Sequence, residues 1–293
     1  MRWKQLLVKK AIVGRLPFAD KLRAIKRKVF GYPPDPRNLE LTIKSYGRIK
    51  ANLEKHGAKI EDSTILEIGS GWFPTIPILL ARDGARKVFM SDLNVHMDEI
   101  TFKATLAYLK NRFKNDDYIQ GITDFESLPI EYLAPFNVSR IPDNSLDAVI
   151  SNTVLEHIPK TDIFNLFSSL CPKISEDGVM AHLVDHSDHF EHYDKSISRI
   201  NFLTWSDEKH ALINLLIKDG ENRMRHHEYH QVFADSGYQL LDEEADVDNK
   251  TLELVNGLDL VYPYSKMTPK QLSVITSIYS LKRMAVMSPV GRF

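Results

Sequence analysis

The feature that most constrains this chain is a rhythm that begins at TILEIGSG, residues 64–71. A short apolar run meets a Gly-x-Gly bend, and the stretch behind it, WFPTIPILLARDG, reads as an apolar helix. The alternation then recurs. Apolar runs predict strands near 64–68, 87–91, 117–121, 146–150 and 178–184, with helices near 74–83, 95–113, 126–133 and 160–170 between them. Short apolar strands alternating with helices bury both faces of a mostly parallel sheet, so the pattern predicts an α/β fold. After residue 185 the rhythm breaks. HSDHFEHYDKSISRINFLTW is polar and aromatic, and residues 186–222 read as an insertion. A helix near 225–236 ends at Gly237, which suits a C-cap before a strand, and the tail is expected to add two strands and a helix near 268–283.

Charge divides the chain. Its 293 residues carry a formal net charge of −1, yet residues 1–30 hold ten Lys or Arg against a single acid, Asp20. The remainder holds 28 bases and 38 acids. The basic segment reads as one or two amphipathic helices, with Leu22, Ile25 and Val29 on one face, and GYPPDPRN (31–38) reads as a linker. Residues 1–37 are therefore expected to form an arm and linker. Residues 38–293 form the main domain, opening with a helix over 38–56 capped by Asn38. Three uses for the arm compete. It can lie on an anionic membrane with Trp3, Leu6, Leu7, Ile12 and Val13 embedded, bind RNA phosphates, or pack on the body. The acidic body makes nucleic acid the least favoured partner. The lone cysteine, Cys171, excludes an intrachain disulfide, and no stretch approaches 18 apolar residues. The expected location is the cytoplasm or the inner face of its membrane.

The bend indicates a ligand. Gly69 and Gly71 let the backbone approach one closely at a strand-to-helix turn. A dinucleotide site wants a third glycine where this chain has Pro74, and no G-K-[ST] follows to make a Walker loop. Glu67, two residues before the first glycine, would repel a pyrophosphate and welcome a cation. S-adenosylmethionine, with an ammonium and a sulfonium and no phosphate, fits that requirement. Asp92 follows Gly71 by 21 residues and can accept ribose hydroxyls. Asp124 and Phe125, placed at the exit of the expected third strand, suit an adenine. Asn152 and Thr153 leave the fourth strand towards the methionine end.

LEIGSG, SDLN, TDFESL and LDAVISNTVLEHI, in that order over residues 60–185, resemble the successive motifs of class I S-adenosylmethionine-dependent methyltransferases. The resemblance implies a Rossmann-like seven-stranded sheet, mostly parallel with its last strand antiparallel, and helices on both faces. It makes Glu67, Gly69, Ser70, Gly71, Asp92, Leu93, Asp124, Phe125 and Asn152 candidate cofactor contacts. LPFADKLRAIKRKVFGY, EIGSGWFPTIP, DHSDHFEHYDKSISRINFLTW and ENRMRHHEY also look like a bacterial subgroup associated with sugar and cell-envelope polysaccharide modification. That points to a glycan or other small envelope acceptor.

Methyl transfer from a sulfonium needs a positioned nucleophile and, for a hydroxyl, a base. SNTVLEH replaces the acidic-Pro-Pro-aromatic loop of exocyclic-amine enzymes, and Cys171 precedes its proline, unlike a cytosine C5 nucleophile. Base candidates cluster after the fifth strand: Asp185, His186, Asp188, His189 and His192. The expected base is His189 supported by Asp188 or Asp185, with His186 in reserve and His192 contacting substrate. Arg223 and Arg225 are expected near an anionic substrate group. HHEYH (226–230) is not H-E-x-x-H, and no metal is expected. An RNA or protein methyltransferase docking through the arm, and a non-catalytic scaffold of the same fold, are the alternatives.

Overall fold

The computed structural model describes residues 2–15, 34–217 and 220–284. The face formed by Leu22, Ile25 and Val29, and residues 31–33 of the linker, lie outside them. The strands are β1 (Thr64–Ile68), β2 (Lys87–Ser91), β3 (Ile130–Leu133), β4 (Leu146–Asn152), β5 (Ile174–Asp185), β6 (Tyr238–Val247) and β7 (Val274–Arg283). They form one sheet in the order β3-β2-β1-β4-β5-β7-β6. β1 to β5 run parallel, and β7 runs antiparallel to both β5 and β6. This is the Rossmann-like α/β sheet with one reversed strand that the motifs imply.

The helices are α1 (Trp3–Arg15), α2 (Pro36–Lys55), α3 (Thr75–Arg82), α4 (Glu99–Arg112), α5 (Asp117–Gly121), α6 (Lys160–Leu170), α7 (Asp207–Ile217), α8 (His226–Asp235), α9 (Asn249–Leu254) and α10 (Pro269–Ser273). Successive residues of a strand point to opposite faces, and the core divides accordingly. Ile65, Val88, Ala148 and Ile150 face a layer made with α2, α3 and α4. Leu66, Phe89 and Val149 face a layer made with Phe167 of α6 and Tyr229 and Phe233 of α8. Every residue of β1 is buried, which explains why TILEI shows no polar alternation.

α2 starts earlier than Asn38. Pro36 occupies its first turn, where a missing N–H costs nothing, and the Asp35 carboxylate accepts the Arg37 N–H at 2.9 Å. The expected third strand, 117–121, is instead α5, because the Asp116 carboxylate accepts the Ile119 N–H at 3.0 Å and caps a turn. The strand lies at Ile130–Leu133, inside the expected 126–133 helix, and pairs with Val88–Ser91. Ile130 meets one core layer and Leu133 the other, a two-faced demand that a surface helix does not meet. In the tail, the helix expected near 268–283 is confined to Pro269–Ser273, and Val274–Arg283 is β7.

A third apolar cluster joins α1 to the insertion. Leu6 is buried with Phe190, Ile200, Leu203, Trp205 and Ile213. Trp3 stacks on Trp205 at 5.3 Å and tilts against Phe190 at 5.6 Å, and its backbone N–H donates to the Asp194 carboxylate at 2.8 Å. Of the residues expected to enter a membrane, Trp3, Leu6 and Leu7 therefore pack on protein, while Ile12 and Val13 stay exposed. Among the described residues no helix is long and apolar enough to cross a membrane.

Candidate functional site

The site is built where the carboxyl ends of β1, β2, β4 and β5 meet. After β1 the backbone turns through left-handed conformations, φ +70° at Gly69 and +67° at Gly71. A Cβ on Gly69 would stand 2.6 Å from Val154 Cγ2, so the loop leaving β4 also demands glycine there. The Asp92 carboxylate fastens the bend from β2. It accepts the Gly71 N–H at 3.0 Å and the Asn94 N–H at 3.3 Å.

Beside the bend lies a cavity of about 170 Å³ lined by Glu67, Gly69, Ser70, Trp72, Phe73, Thr75 and Asn152, with the start of α2 (Asn38, Leu39, Thr42) as its opposite wall. The buried atoms Glu67 Oε2, Ser70 Oγ, Thr75 Oγ1 and Asn152 Oδ1 at this cavity all lack a close hydrogen-bond partner, and the Ser70 hydroxyl beside Glu67 partly offsets the burial of its carboxyl. Burial pushes the Glu67 carboxyl up to about 7. Buried acceptors without donors call for a ligand that brings donors, and a cationic one answers the carboxylate best.

Four of the expected cofactor contacts, Glu67, Gly69, Ser70 and Asn152, line this cavity, and Gly71 and Asp92 form its adjoining bend. Leu93 follows Asp92 and is 74% exposed. Asp124 and Phe125 are a correction. They precede β3, whose Ile130 pairs with Val88 at the amino end of β2, so they sit at the edge of the sheet opposite Asp92. Phe125 packs edge-on against Phe102 at 5.5 Å, and Asp124 caps its own turn by accepting the Ser127 N–H at 2.8 Å. Misplacing the third strand misplaced them. The segment that leaves β3 on the ligand side is Ala134–Phe136, where the Phe136 N–H bonds the Asp92 carbonyl at 2.8 Å.

A second cavity, of about 280 Å³, adjoins the first and shares Asn38, Thr42 and Asn152 with it. Thr153, His157, Asp185, His189 and His192 supply its polar wall. Thr153 holds φ +54°, an outlying conformation for a β-branched residue, secured by its N–H to Leu183 O at 2.8 Å. Asp185, the last residue of β5, approaches two imidazoles: His189 Nε2 at 3.7 Å and His192 Nε2 at 3.6 Å. The rings of His189 and His192 stack 5.0 Å apart, and His157 lies 5.0 Å from His189 on another side.

Four other expected site residues are interior. His186 is buried against Tyr229 and meets the Tyr279 hydroxyl at 3.2 Å; burial drives its pKa well below the usual histidine range. Asp188 accepts the Phe190 N–H at 2.8 Å and an Asn201 amide N–H at 3.1 Å, which folds the insertion rather than supporting His189. Arg223 donates to the carbonyls of Phe202 and Trp205 and pairs with Asp207. Arg225 is wholly buried and donates to the carbonyls of His186, Leu272 and Val274. Neither guanidinium lines the two joined cavities.

Sequence reasoning passed over Glu156, Glu221 and the first turns of α2. Glu156 is 2% exposed, and no side chain hydrogen-bonds its carboxylate. Glu221 reaches His189 Nδ1 at 3.1 Å. The adjacent acid and imidazole in LEHI, directly behind β4, were the available signal for Glu156. Nothing local marks Glu221 or α2.

No protein-family model matches the chain, and no curated protein matches it. Solved structures similar to it include magnesium protoporphyrin IX methyltransferase from Synechocystis PCC 6803 with bound S-adenosylhomocysteine, at 13% identity over 94% of this chain and 99% of that one, TM-score 0.49. Another is an S-adenosylmethionine-dependent methyltransferase from Mesorhizobium loti, at 14% identity over 80% and 96%, TM-score 0.47. A third is geranyl diphosphate C-methyltransferase from Streptomyces coelicolor A3(2), at 14% identity over 81% and 79%, TM-score 0.47. The fold assignment rests on the strand order itself.

Proposed function

We propose that the chain is an S-adenosylmethionine-dependent methyltransferase that methylates a hydroxyl of a sugar, glycan or other small envelope metabolite. One observation carries the reading: a cavity whose wall holds the buried acceptors of Glu67 and Asn152 shares Asn38, Thr42 and Asn152 with a second cavity walled by a carboxylate and imidazoles. When bound, S-adenosylmethionine supplies an electrophilic methyl carbon on a sulfonium. Glu67 and Asn152 accept hydrogen bonds from its ammonium, and the Gly69–Gly71 bend admits its backbone. Asp92, already gripping the bend, has lone pairs left for ribose hydroxyls.

In the second cavity Asp185 and His192 receive the acceptor. Of the two imidazoles beside Asp185, His192 is the better base, because His189 is only 24% open and is held by Glu221 through Nδ1, whereas His192 is 47% open and its Nε2 meets only the Ser187 hydroxyl at 3.3 Å and Asp185 at 3.6 Å. His192 would take the proton of the acceptor hydroxyl while S-adenosylmethionine, if bound next door, would supply the methyl group and leave as S-adenosylhomocysteine. A hydroxyl-rich acceptor suits a wall of amide, hydroxyl, carboxylate and imidazole groups. The envelope assignment rests on the sequence resemblance. With α1 packed on the insertion, the arm is read as part of a cytoplasmic protein whose exposed Val8, Ile12 and Val13 touch the inner membrane face.

Calorimetry with S-adenosylmethionine, S-adenosylhomocysteine and NAD, followed by transfer of a labelled methyl group to sugar nucleotides and oligosaccharides, tests this. Binding of the two sulfur compounds and not of NAD is expected. A chain that binds neither sulfur compound overturns the reading.

A further inference from the structure

Glu156 is a carboxylate that the fold buries with little compensation, eased only by the backbone N–H groups of Glu156 itself and Asp185. It follows β4 and is 2% exposed, and no side chain hydrogen-bonds either of its oxygens. Burial, with Asp185 and Glu221 near, pushes its pKa well above the ordinary carboxylate range. A buried acid with so little compensation is costly unless something cationic joins it. Two imidazoles stand beside it. One ligand atom from each of Glu156, His157 and His189 falls within 4.8 Å of the others.

The outer hydrogen bonds orient both rings. His157 Nδ1 lies 3.0 Å from the Gly220 carbonyl, and His189 Nδ1 lies 3.1 Å from Glu221 Oε1. Carbonyl and carboxylate oxygens only accept, so both Nδ1 atoms carry a proton and Nε2 is the ring atom each histidine can offer a metal, which at His189 would compete with the Asp185 carboxylate 3.7 Å away. This is the arrangement by which a second layer of acceptors prepares histidines to ligate. Glu221 also holds the His189 backbone N–H at 3.2 Å.

A second triad, His226, His230 and Glu243, is similarly close-set but chemically closed. Glu243 already binds both imidazoles, at 2.9 and 2.8 Å, and accepts the Ser277 hydroxyl at 2.9 Å. Its carboxylate is spent, whereas that of Glu156 is not.

We propose that Glu156, His157 and His189 bind a divalent transition-metal cation at the edge of the second cavity. Two imidazoles and one carboxylate favour Mn²⁺, Fe²⁺, Co²⁺ or Zn²⁺ over Mg²⁺ or Ca²⁺, and three protein ligands leave coordination positions open. His157 and His189 both line that cavity, so those positions face whatever enters it. Resting on the methyl-transfer reading, an acceptor with neighbouring hydroxyls would chelate there and be held for His192.

The test uses the full chain, stripped with EDTA and titrated with Mn²⁺ by calorimetry and with Co²⁺ by visible absorption. One equivalent is expected to bind. E156Q and the double variant H157N/H189N are expected to weaken it by about 10-fold or more, with folding checked by circular dichroism, while H230A leaves it unchanged. No binding at millimolar metal, equal binding by the double variant, or loss confined to H230A each overturns the proposal. S-adenosylhomocysteine affinity measured on the same stripped samples separates the two readings: metal failure with the nucleoside still bound sinks only the cation site, and the reverse sinks only the cofactor.

Discussion

Val154 occupies the space that any side chain at Gly69 would need, its Cγ2 2.6 Å from where a Cβ would stand. The first glycine of the bend is thus fixed from two directions, by its own φ of +70° and by the loop that leaves β4. G69A combines a left-handed alanine, about 1–2 kcal/mol, with a steric clash, and is expected to cost about 3 kcal/mol or more in urea unfolding. Adding V154A relieves the clash and leaves the backbone part. A double-mutant cycle showing full additivity would contradict this coupling.

Glu67 gives a pH dependence with a definite sign. Its folded pKa, about 7, stands above the usual 4.5 of a glutamate, so the folded protein holds a proton that the unfolded chain has lost between those values. Stability therefore falls as pH rises through that window and levels off above it, by on the order of 3 kcal/mol. E67Q removes this loss, so its unfolding free energy should gain on the parent from pH 4.5 to 8. Cofactor affinity in the parent moves oppositely, rising with pH until the carboxyl is ionised, and E67Q should be weak and flat. A parent whose affinity is unchanged from pH 5 to 8 would refute the role given to Glu67.

D185N and H192A separate binding from turnover. Asp185 stands at the acceptor cavity and not at the cofactor cavity. Both variants are expected to lose about 10²–10⁴-fold in kcat while S-adenosylhomocysteine affinity stays within twofold. An unchanged kcat in H192A would move the proton acceptor elsewhere.

Arg225 is expected to behave as a structural bolt. Its guanidinium joins the carbonyls of His186, Leu272 and Val274 at 2.7, 3.2 and 2.5 Å, tying the exit of β5 to the start of β7. R225K cannot span three carbonyls with one ammonium and should cost about 2–4 kcal/mol, seen as a lower Tm. A residue reserved for substrate would instead raise KM and leave Tm unchanged.

These particulars show what the sequence carries. The bend, β1, β2 and β4 are legible because TILEIGSG, KVFMS and LDAVISN are short, apolar and punctuated, and buried parallel strands have that look. β3 is not, because IEYL alternates over only four residues while the capped turn DYIQG offers a comparable apolar run; Asp124 and Phe125 went astray with it. Arg223 and Arg225 read as ligand-binding because arginines beside histidines look functional, and only the folded chain reveals carbonyls gathered from α10, β7 and the insertion. Glu156 is an ordinary acid in one dimension. Its isolation arises from β4, β5 and the insertion closing around it.

The opening turns of α2 form a partition common to both chambers, through Asn38 and Thr42. Asn38 and Thr42 therefore stand within touch of an occupant of either room, so a change at one of these two side chains alters both at once.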